Sequence, residues 1–265
     1  MAITCGWTGV ESTIGRVTVS TFTRPSLSIR PLAVPSEHGG WGLLLEPVVL
    51  AMLVAPSAAG ALIGMGAGAV FLMQHPLKLA MHDRLQGRRY PRSRFCELLA
   101  AGYGAAALLA FTAAWTLAGA RPLLALTAAL PFGAIQLSYN VQNRSRRPIP
   151  ELAGAIVPAS LAAAIALAGG SAAAFALSVL ILCRSIPAVL YVRSTLRGSS
   201  PVAMLAAHVA AVLIAFLFAP LLAGIAMVLL LLRAAVPTHA PAKTIGLREI
   251  AFGAITVGLI ALAYA

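Results

Sequence analysis

Acidic residues and cysteines are both scarce in this chain. Its 265 residues include only seven Asp and Glu, of which Asp83 is the one aspartate, and three cysteines. Cys5, Cys96 and Cys183 lie too far apart in sequence to form a ligand cluster by themselves, and two of them fall in or beside apolar segments. The cysteine spacing therefore indicates neither a disulfide framework nor a metal site.

Charged residues of both signs are few, whereas apolar residues are abundant. Charged residues make up 10% of the chain and hydrophobic residues 60%, and the mean hydropathy is +0.92. A soluble core cannot bury that much apolar surface, but a bilayer requires about 20 apolar residues for each spanning helix. We therefore predict an all-α, polytopic integral membrane bundle of about nine transmembrane helices. The predicted segments lie near 40–57, 60–81, 96–118, 121–139, 151–168, 171–192, 201–218, 220–236 and 246–264.

The links between these segments alternate in chemistry. One set of alternate links contains a single basic residue, Arg121. The other set is basic throughout and includes Lys78, Arg84, Arg88, Arg89, Arg92, Arg94, Arg144, Arg146, Arg147, Arg193, Arg197, Arg233, Lys243 and Arg248. The positive-inside tendency predicts a multi-pass protein of the cell membrane with a cytoplasmic N-terminus and a C-terminus outside. Because the net charge of +12 is spread along one membrane face, it favours an anionic membrane lipid or an anionic substrate as the partner, rather than nucleic acid.

The first 35 residues differ from the rest of the chain. They are rich in Ser, Thr and Arg and lack the apolar run of a secretory signal. We predict a disordered cytoplasmic tail over 1–35 and a transmembrane helical domain over 36–265. A transit peptide and an overextended start codon are the two alternatives for the tail.

Ionisable residues within the apolar segments indicate a possible site, because such residues are costly in a membrane and usually face the bundle interior. Glu46, His75, Arg184 and His208 all lie about 8–12 Å from the cytoplasmic boundary at 1.5 Å per residue. They predict one polar layer around a water-filled pit that opens to the cytoplasm. Arg184 has two interpretations, which are a structural ion pair with Glu46 and a binding group for an anion.

Further polar residues collect at the cytoplasmic segment ends. His75, Lys78 and His82 share one helix face, which could coordinate a phosphoryl group; the alternatives are interfacial snorkelling by Lys78 and a core role for His75. Asn140 closes the fourth segment. Glu151 follows two prolines at the start of the fifth, where an acid suits a helix N-terminus.

Three stretches carry a resemblance to a known family: PSEHGGWGLLLEP at 35–47, HPLKL at 75–79 and RRYPRSR at 88–94. Together they resemble the YwiC-like family of bacterial membrane proteins, which implies a membrane protein without defining its chemistry. The chain is more distantly similar to the UbiA prenyltransferase superfamily, which has nine helices and binds isoprenoid diphosphates through magnesium held by two aspartate-rich motifs. This resemblance implies Mg²⁺ as cofactor. Asp83 is the one aspartate near the first motif position, and residues 191–197 replace the second motif with arginines, which could bind diphosphate directly.

We consider three functions. The first is a UbiA-like protein that binds an isoprenoid or lipid anion in the cytoplasm-facing pit, including a degenerate prenyltransferase, whose catalytic residues the sequence does not identify. The second is a proton-coupled transporter or permease with Glu46, His75 and His208 as a relay, and the third is a noncatalytic membrane scaffold. The candidate ligand-binding residues are Glu37, His38, Glu46, His75, Lys78, His82, Asp83, Asn140, Arg184, Arg193 and His208.

Overall fold

A computed structural model describes residues 38–87, 90–236 and 240–265, and in these ranges every element of regular structure is a helix. The ten helices are α1 His38–Val54, α2 Ala58–Leu85, α3 Pro91–Ala118, α4 Arg121–Thr127, α5 Leu130–Val141, α6 Pro148–Ala168, α7 Ala174–Arg197, α8 Pro201–Phe218, α9 Leu221–Ala235 and α10 Ala242–Tyr264. The all-α prediction is therefore confirmed. The predicted tail at 1–35 lies outside the described residues and stays a prediction.

Several of these helices are long and apolar enough to cross a membrane. Six pass this test singly, namely α2, α3, α6, α7, α8 and α10, and the pair α4 and α5, bent by 44°, makes a seventh when it is counted as one span. The helices α1 and α9 are apolar but have 17 and 15 residues. At 1.5 Å per residue they reach about 22–26 Å, less than the roughly 30 Å of a bilayer core. The chain is thus a multi-pass membrane protein, whereas the count of nine spans stays a prediction.

Local sequence signals set the helix ends. Ser57 and Ser200 accept hydrogen bonds from the backbone N–H of Gly60 (2.9 Å) and Ala203 (3.3 Å), and so cap the starts of α2 and α8. Proline occupies the first turn of α3, α4, α5, α6 and α8, where its missing N–H is not needed. Gly198 ends α7 with a φ of +63°, a left-handed conformation that glycine adopts without strain.

The helices α1, α6 and α7 occupy the middle of the bundle. The helix α6 packs against α1, α2, α4, α5 and α7, and α10 closes the far side against α1 and α9. The side chains of Leu50, Ile165 and Leu177 are fully buried between α1, α6 and α7. Small residues permit the close approaches, since a Cβ on Gly169 would lie 2.7 Å from the Cβ of Ala55. In contrast, α3 lies at the periphery and packs chiefly against α2.

Contacts between helix ends show that the basic links meet at one end of the bundle. The end of α2 contacts the start of α3 through Asp83 and Arg92, and it contacts the end of α5 through His82. The end of α7 contacts the start of α6 through Arg193 and Glu151. We call this the basic end, defined as the end at which α2, α5, α7 and α9 finish and α3, α6, α8 and α10 begin.

Candidate functional site

Arg184 lies near the middle of α7 and binds two other helices. Its Nη2 donates to Glu46 Oε1 of α1 at 3.1 Å and to the backbone oxygen of Glu249 in α10 at 2.9 Å. Its Nη1 lies 3.4 Å from Glu249 Oε2. The Arg184 side chain is 4% exposed and each carboxylate side chain 14% exposed. The arginine therefore holds α1 and α10 against α7 inside the bundle.

Arg233, at the end of α9, turns inward to the same place. Its Nη1 donates to the remaining oxygen of Glu249, and its Nη2 lies 3.3 Å from His208 Nε2. The guanidinium carbon lies 3.9 Å from the ring centroid of Tyr191 and 5.5 Å from that of Phe252, at cation–π distance. With 7% of its side chain exposed, Arg233 is a member of the buried cluster as well as a residue of a basic link.

The hydrogen bonds of His208 assign its protonation. Its Nδ1 lies 2.8 Å from the carbonyl oxygen of Met204, which can only accept, so Nδ1 carries the hydrogen. Its Nε2 faces the N–H donor of Arg233 and must therefore be the unprotonated nitrogen. His208, at 1% exposure, is thus a neutral imidazole that accepts from an arginine.

Glu46, Arg184, His208, Arg233 and Glu249 form what we call the central network. Two guanidinium groups and two carboxylates balance, so with His208 neutral the network has no net charge. Such balance is expected, because an uncompensated charge in a membrane interior is strongly disfavoured. Gly253 of α10 leaves room for the network, since a Cβ there would lie 2.7 Å from Glu46 Cδ.

Two donors of the central network have no acceptor within the described part of the chain. They are the Nε–H groups of Arg184 and of Arg233, both buried. A buried N–H without an acceptor costs about 1–3 kcal/mol. Most buried polar groups in proteins are paired, so these two donors are available to a further acceptor.

A second cluster surrounds Asp83 at the end of α2. Ser93 Oγ donates to Asp83 Oδ2 at 2.7 Å, and Arg92 donates to both carboxylate oxygens at 3.2 and 3.4 Å. The carboxylate is 2% exposed. Asp83 therefore joins α2 to α3. It does not fit the Mg²⁺ role that the UbiA resemblance implies, because its oxygens are already bound and residues 38–87, 90–236 and 240–265 contain no group of three His, Cys, Asp or Glu suited to a metal.

A third cluster lies at the junction of α5, α6 and α7. Glu151 accepts from Arg193 and, at 2.5 Å, from Arg197. Both arginines also donate to the backbone oxygen of Arg146, at 3.3 and 2.9 Å. We call the five arginines of this region, together with Glu151, the arginine junction: Arg144, Arg146, Arg147, Arg193 and Arg197. The side chains of Arg144, Arg146, Arg147 and Arg197 are exposed.

The structure brings together Glu46, Arg184 and His208 from the predicted polar layer, but not His75. Trp41 of α1 contacts the ring of Phe71 at 5.0 Å between centroids, and a Cβ on Gly64 would lie 3.0 Å from Val48. This antiparallel register places His75 about 13 Å from the level of Glu46, toward the basic end. The network side chains also pack against one another, with only 4–14% of each charged side chain exposed.

The other predicted site residues lie apart from the central network. His82 Nδ1 is 3.2 Å from the Val141 backbone oxygen, and its Nε2 is 3.0 Å from Gln86. Lys78 and Asn140 are partly exposed, on α2 and at the end of α5. Glu37 lies outside the described residues, and His38 begins α1 with a side chain that is also outside them. Arg193 belongs to the arginine junction and Asp83 to its own cluster.

Sequence reasoning missed Arg233 and Glu249 as site residues and treated Glu151 only as a helix-start acid. One signal could have found them. In the described part of the chain every acidic side chain pairs with arginine: Glu46, Asp83, Glu97, Glu151 and Glu249. A lone acid within an apolar segment of a chain so poor in acids, as Glu249 is, is the sequence signal for a buried basic partner.

The comparisons with known proteins give one family. The family model described as YwiC-like protein matches residues 34–166, which is half of the chain. This chain belongs to the YwiC-like family. The matched region runs from α1 almost to the end of α6, so it includes Glu46, Asp83 and Glu151, whereas Arg184, Arg233 and Glu249 follow it. Neither a curated protein nor a solved structure matches the chain, and the more distant UbiA similarity stays a prediction.

Proposed function

We propose that this YwiC-like protein binds an anionic lipid, such as an isoprenoid phosphate or another phosphorylated lipid, at the arginine junction. One observation carries the proposal, namely that the basic end holds five arginines beside a single carboxylate, Glu151, which in the described part of the chain pairs with two of them, Arg193 and Arg197. Arg144, Arg146 and Arg147 have no acidic partner in the described part of the chain, and the five arginines exceed the one carboxylate by four positive charges. A phosphorylated headgroup at the membrane surface supplies that missing charge.

The arginine junction is also preorganised for phosphate. Glu151 and the Arg146 carbonyl oxygen hold Arg193 and Arg197 side by side. Each guanidinium has five N–H donors, so both keep donors for a ligand after these bonds are made. Arginine binds phosphate through paired N–H groups without a metal. This supports direct recognition of the headgroup, and it requires no Mg²⁺ at Asp83.

The surrounding surfaces suit a lipid tail and a cytoplasmic headgroup. Exposed apolar side chains cover the outer faces of the long helices, for example Leu108, Leu205 and Leu213. The concentration of arginine at one end supports a cytoplasmic basic end, with the N-terminus inside and the C-terminus outside. The lipid would therefore enter from the inner leaflet with its headgroup at the arginine junction.

The test is a lipid analysis of the purified protein. Phosphorylated lipids that copurify would be extracted and identified by mass spectrometry from wild type and from an Arg144→Gln/Arg147→Gln variant. Neither arginine pairs with a described acid, so the variant should fold normally. We expect it to lose most of the copurifying phosphorylated lipid. Arg121→Gln, an exposed arginine at the opposite end, is the matched control and should retain it. Equal retention in all three proteins would refute the proposal.

A proton-coupled transporter is the second candidate, favoured by the central network. Ionisable side chains from α1, α7, α8, α9 and α10 meet there inside the bundle, which is the usual setting of proton-handling residues. In proteoliposomes, this candidate predicts solute uptake that responds to a pH gradient and is lost with Glu46→Gln. Uptake that ignores both would exclude this role for Glu46.

A further inference from the structure

The two carboxylates of the central network are held unequally. Glu249 is fixed at both oxygens, by Arg184 on one side and by Arg233 on the other. Glu46 has a single described bond, from its Oε1 to Arg184 Nη2. Glu46 is therefore the anion of the network that can be replaced with the least disruption.

The free donor of Arg184 lies beside this weaker bond. In a guanidinium group Nε–H and one terminal N–H₂ point the same way and form an edge that takes both oxygens of a carboxylate. Nη2 of Arg184 donates to Glu46 Oε1 and also to the Glu249 backbone oxygen, while Nε is buried and has no acceptor among the described residues. An external carboxylate can therefore bind Nε, and it gains Nη2 as its second donor when Glu46 releases that group. The free Nε–H of Arg233 adds further unsatisfied donor capacity within the same network.

Charge balance determines what must accompany such a ligand. The network is neutral, so an added anion would leave a buried negative charge unless a proton enters with it. The groups that face the site are Arg184 and Tyr191 on α7, His208 on α8, Arg233 on α9 and Glu249 on α10. Among the acceptors, Glu249 is bound to two arginines and His208 accepts from Arg233. Glu46 is the remaining proton acceptor.

We propose that the central network is a proton-linked binding site for a small carboxylate anion. The anion binds the Nε–Nη2 edge of Arg184, and a proton from solvent binds the carboxylate of Glu46, which then releases Nη2. One anion and one proton enter together, and no covalent bond forms other than the O–H bond on Glu46. The site is separate from the arginine junction. It would also give the second candidate function its substrate class.

The test uses acetate as the probe and the full-length protein in detergent. Acetate binding would be measured by calorimetry, and proton uptake by a pH-sensitive dye in weakly buffered solution. Wild type should take up about one proton for each acetate bound, and its affinity should rise about tenfold for each unit that the pH falls. Glu46→Gln, which resembles the protonated acid, should bind acetate without proton uptake and with little dependence on pH.

Further variants separate this proposal from a structural effect and from the lipid proposal. Arg184→Lys replaces the bidentate Nε–Nη2 edge of the guanidinium with a single ammonium group. It should weaken acetate binding at least tenfold. Arg144→Gln/Arg147→Gln should bind acetate as wild type does, whatever the result of the lipid analysis. The absence of acetate binding by folded wild type would overturn the proposal. So would proton uptake that persists in Glu46→Gln, because the proton would then bind elsewhere.

Discussion

The central network and the arginine junction both pair arginine with glutamate, but in different proportions. In the buried central network two arginines meet two glutamates and the charges balance. In the arginine junction Glu151 pairs with Arg193 and Arg197, and three further arginines, Arg144, Arg146 and Arg147, are exposed without a described acidic partner. A bundle interior requires internal compensation, whereas the membrane surface tolerates an excess that lipid can neutralise. The comparison therefore separates charges that stabilise the fold from charges that remain available to a partner.

Replacing Arg184 should give the largest loss of stability. Arg184→Met would leave Glu46 without its described ion pair and Glu249 with Arg233 alone, inside the bundle. Removing one partner of a buried pair typically costs about 3–5 kcal/mol. Unfolding by SDS titration in mixed micelles would measure the loss, and Arg193→Met is the comparison at the arginine junction. Equal losses for the two variants would contradict the distinction between the regions.

Gly253→Ala should give the next largest effect. The added Cβ would overlap the Glu46 carboxylate, so the ion pair with Arg184 must shift. Overpacking of this kind costs about 1–3 kcal/mol. Gly258→Ala, in the same helix, meets no atom within 4 Å and serves as the matched control. It should raise the free energy of unfolding by no more than about 1 kcal/mol, because alanine favours a helix over glycine.

Glu151→Gln should have a smaller effect, because the arginine junction is partly solvated. The variant removes the ion pairs with Arg193 and Arg197, although both can still donate to the Arg146 carbonyl oxygen. We expect a loss of about 1 kcal/mol, discounted for solvent screening. The same variant should bind anionic lipid more tightly, because it raises the positive charge of the junction. A large loss of stability together with weaker lipid binding would make Glu151 part of the fold rather than a local counter-charge.

Arg144→Gln/Arg147→Gln should have the smallest effect on stability. Both side chains are exposed and neither pairs with a described acid, so the change in unfolding free energy should stay within about 0.5 kcal/mol. Its effect should appear in lipid binding instead. SDS titration and lipid analysis of one preparation would test both statements, and a clear loss of stability would place these arginines in the fold.

The sequence predicted the helices well, and it predicted one contact of the central network. Each predicted apolar segment coincides with a helix or with the bent pair α4 and α5, because length and apolarity are local properties of the chain. Arg184 contacts Glu46, as one of its two interpretations states. The roles of Arg233 and Glu249 could not be predicted from the sequence, because they depend on which of α7, α9 and α10 pack against one another. The order of the segments along the chain does not specify this packing.

His75 shows that depth counted from a predicted segment end is not enough to assign residues of different helices to one layer. Counted from its own segment end, it fell in the same layer as Glu46, but α1 and α2 pack in a register that places it about 13 Å closer to the basic end. The difference arises because α2 extends past the start of α1 at the basic end, so equal distances from two predicted segment ends are not equal depths. Register between helices depends on contacts such as Trp41 with Phe71.

The most direct test of the account is native mass spectrometry with an equimolar mixture of phosphatidic acid and phosphatidylcholine. It would compare wild type, Arg144→Gln/Arg147→Gln and the control Arg121→Gln. The account predicts selective retention of phosphatidic acid by wild type and by Arg121→Gln, and loss of that selectivity in the double variant. If the double variant retained phosphatidic acid as wild type does, the arginine junction would not be the lipid-anion site.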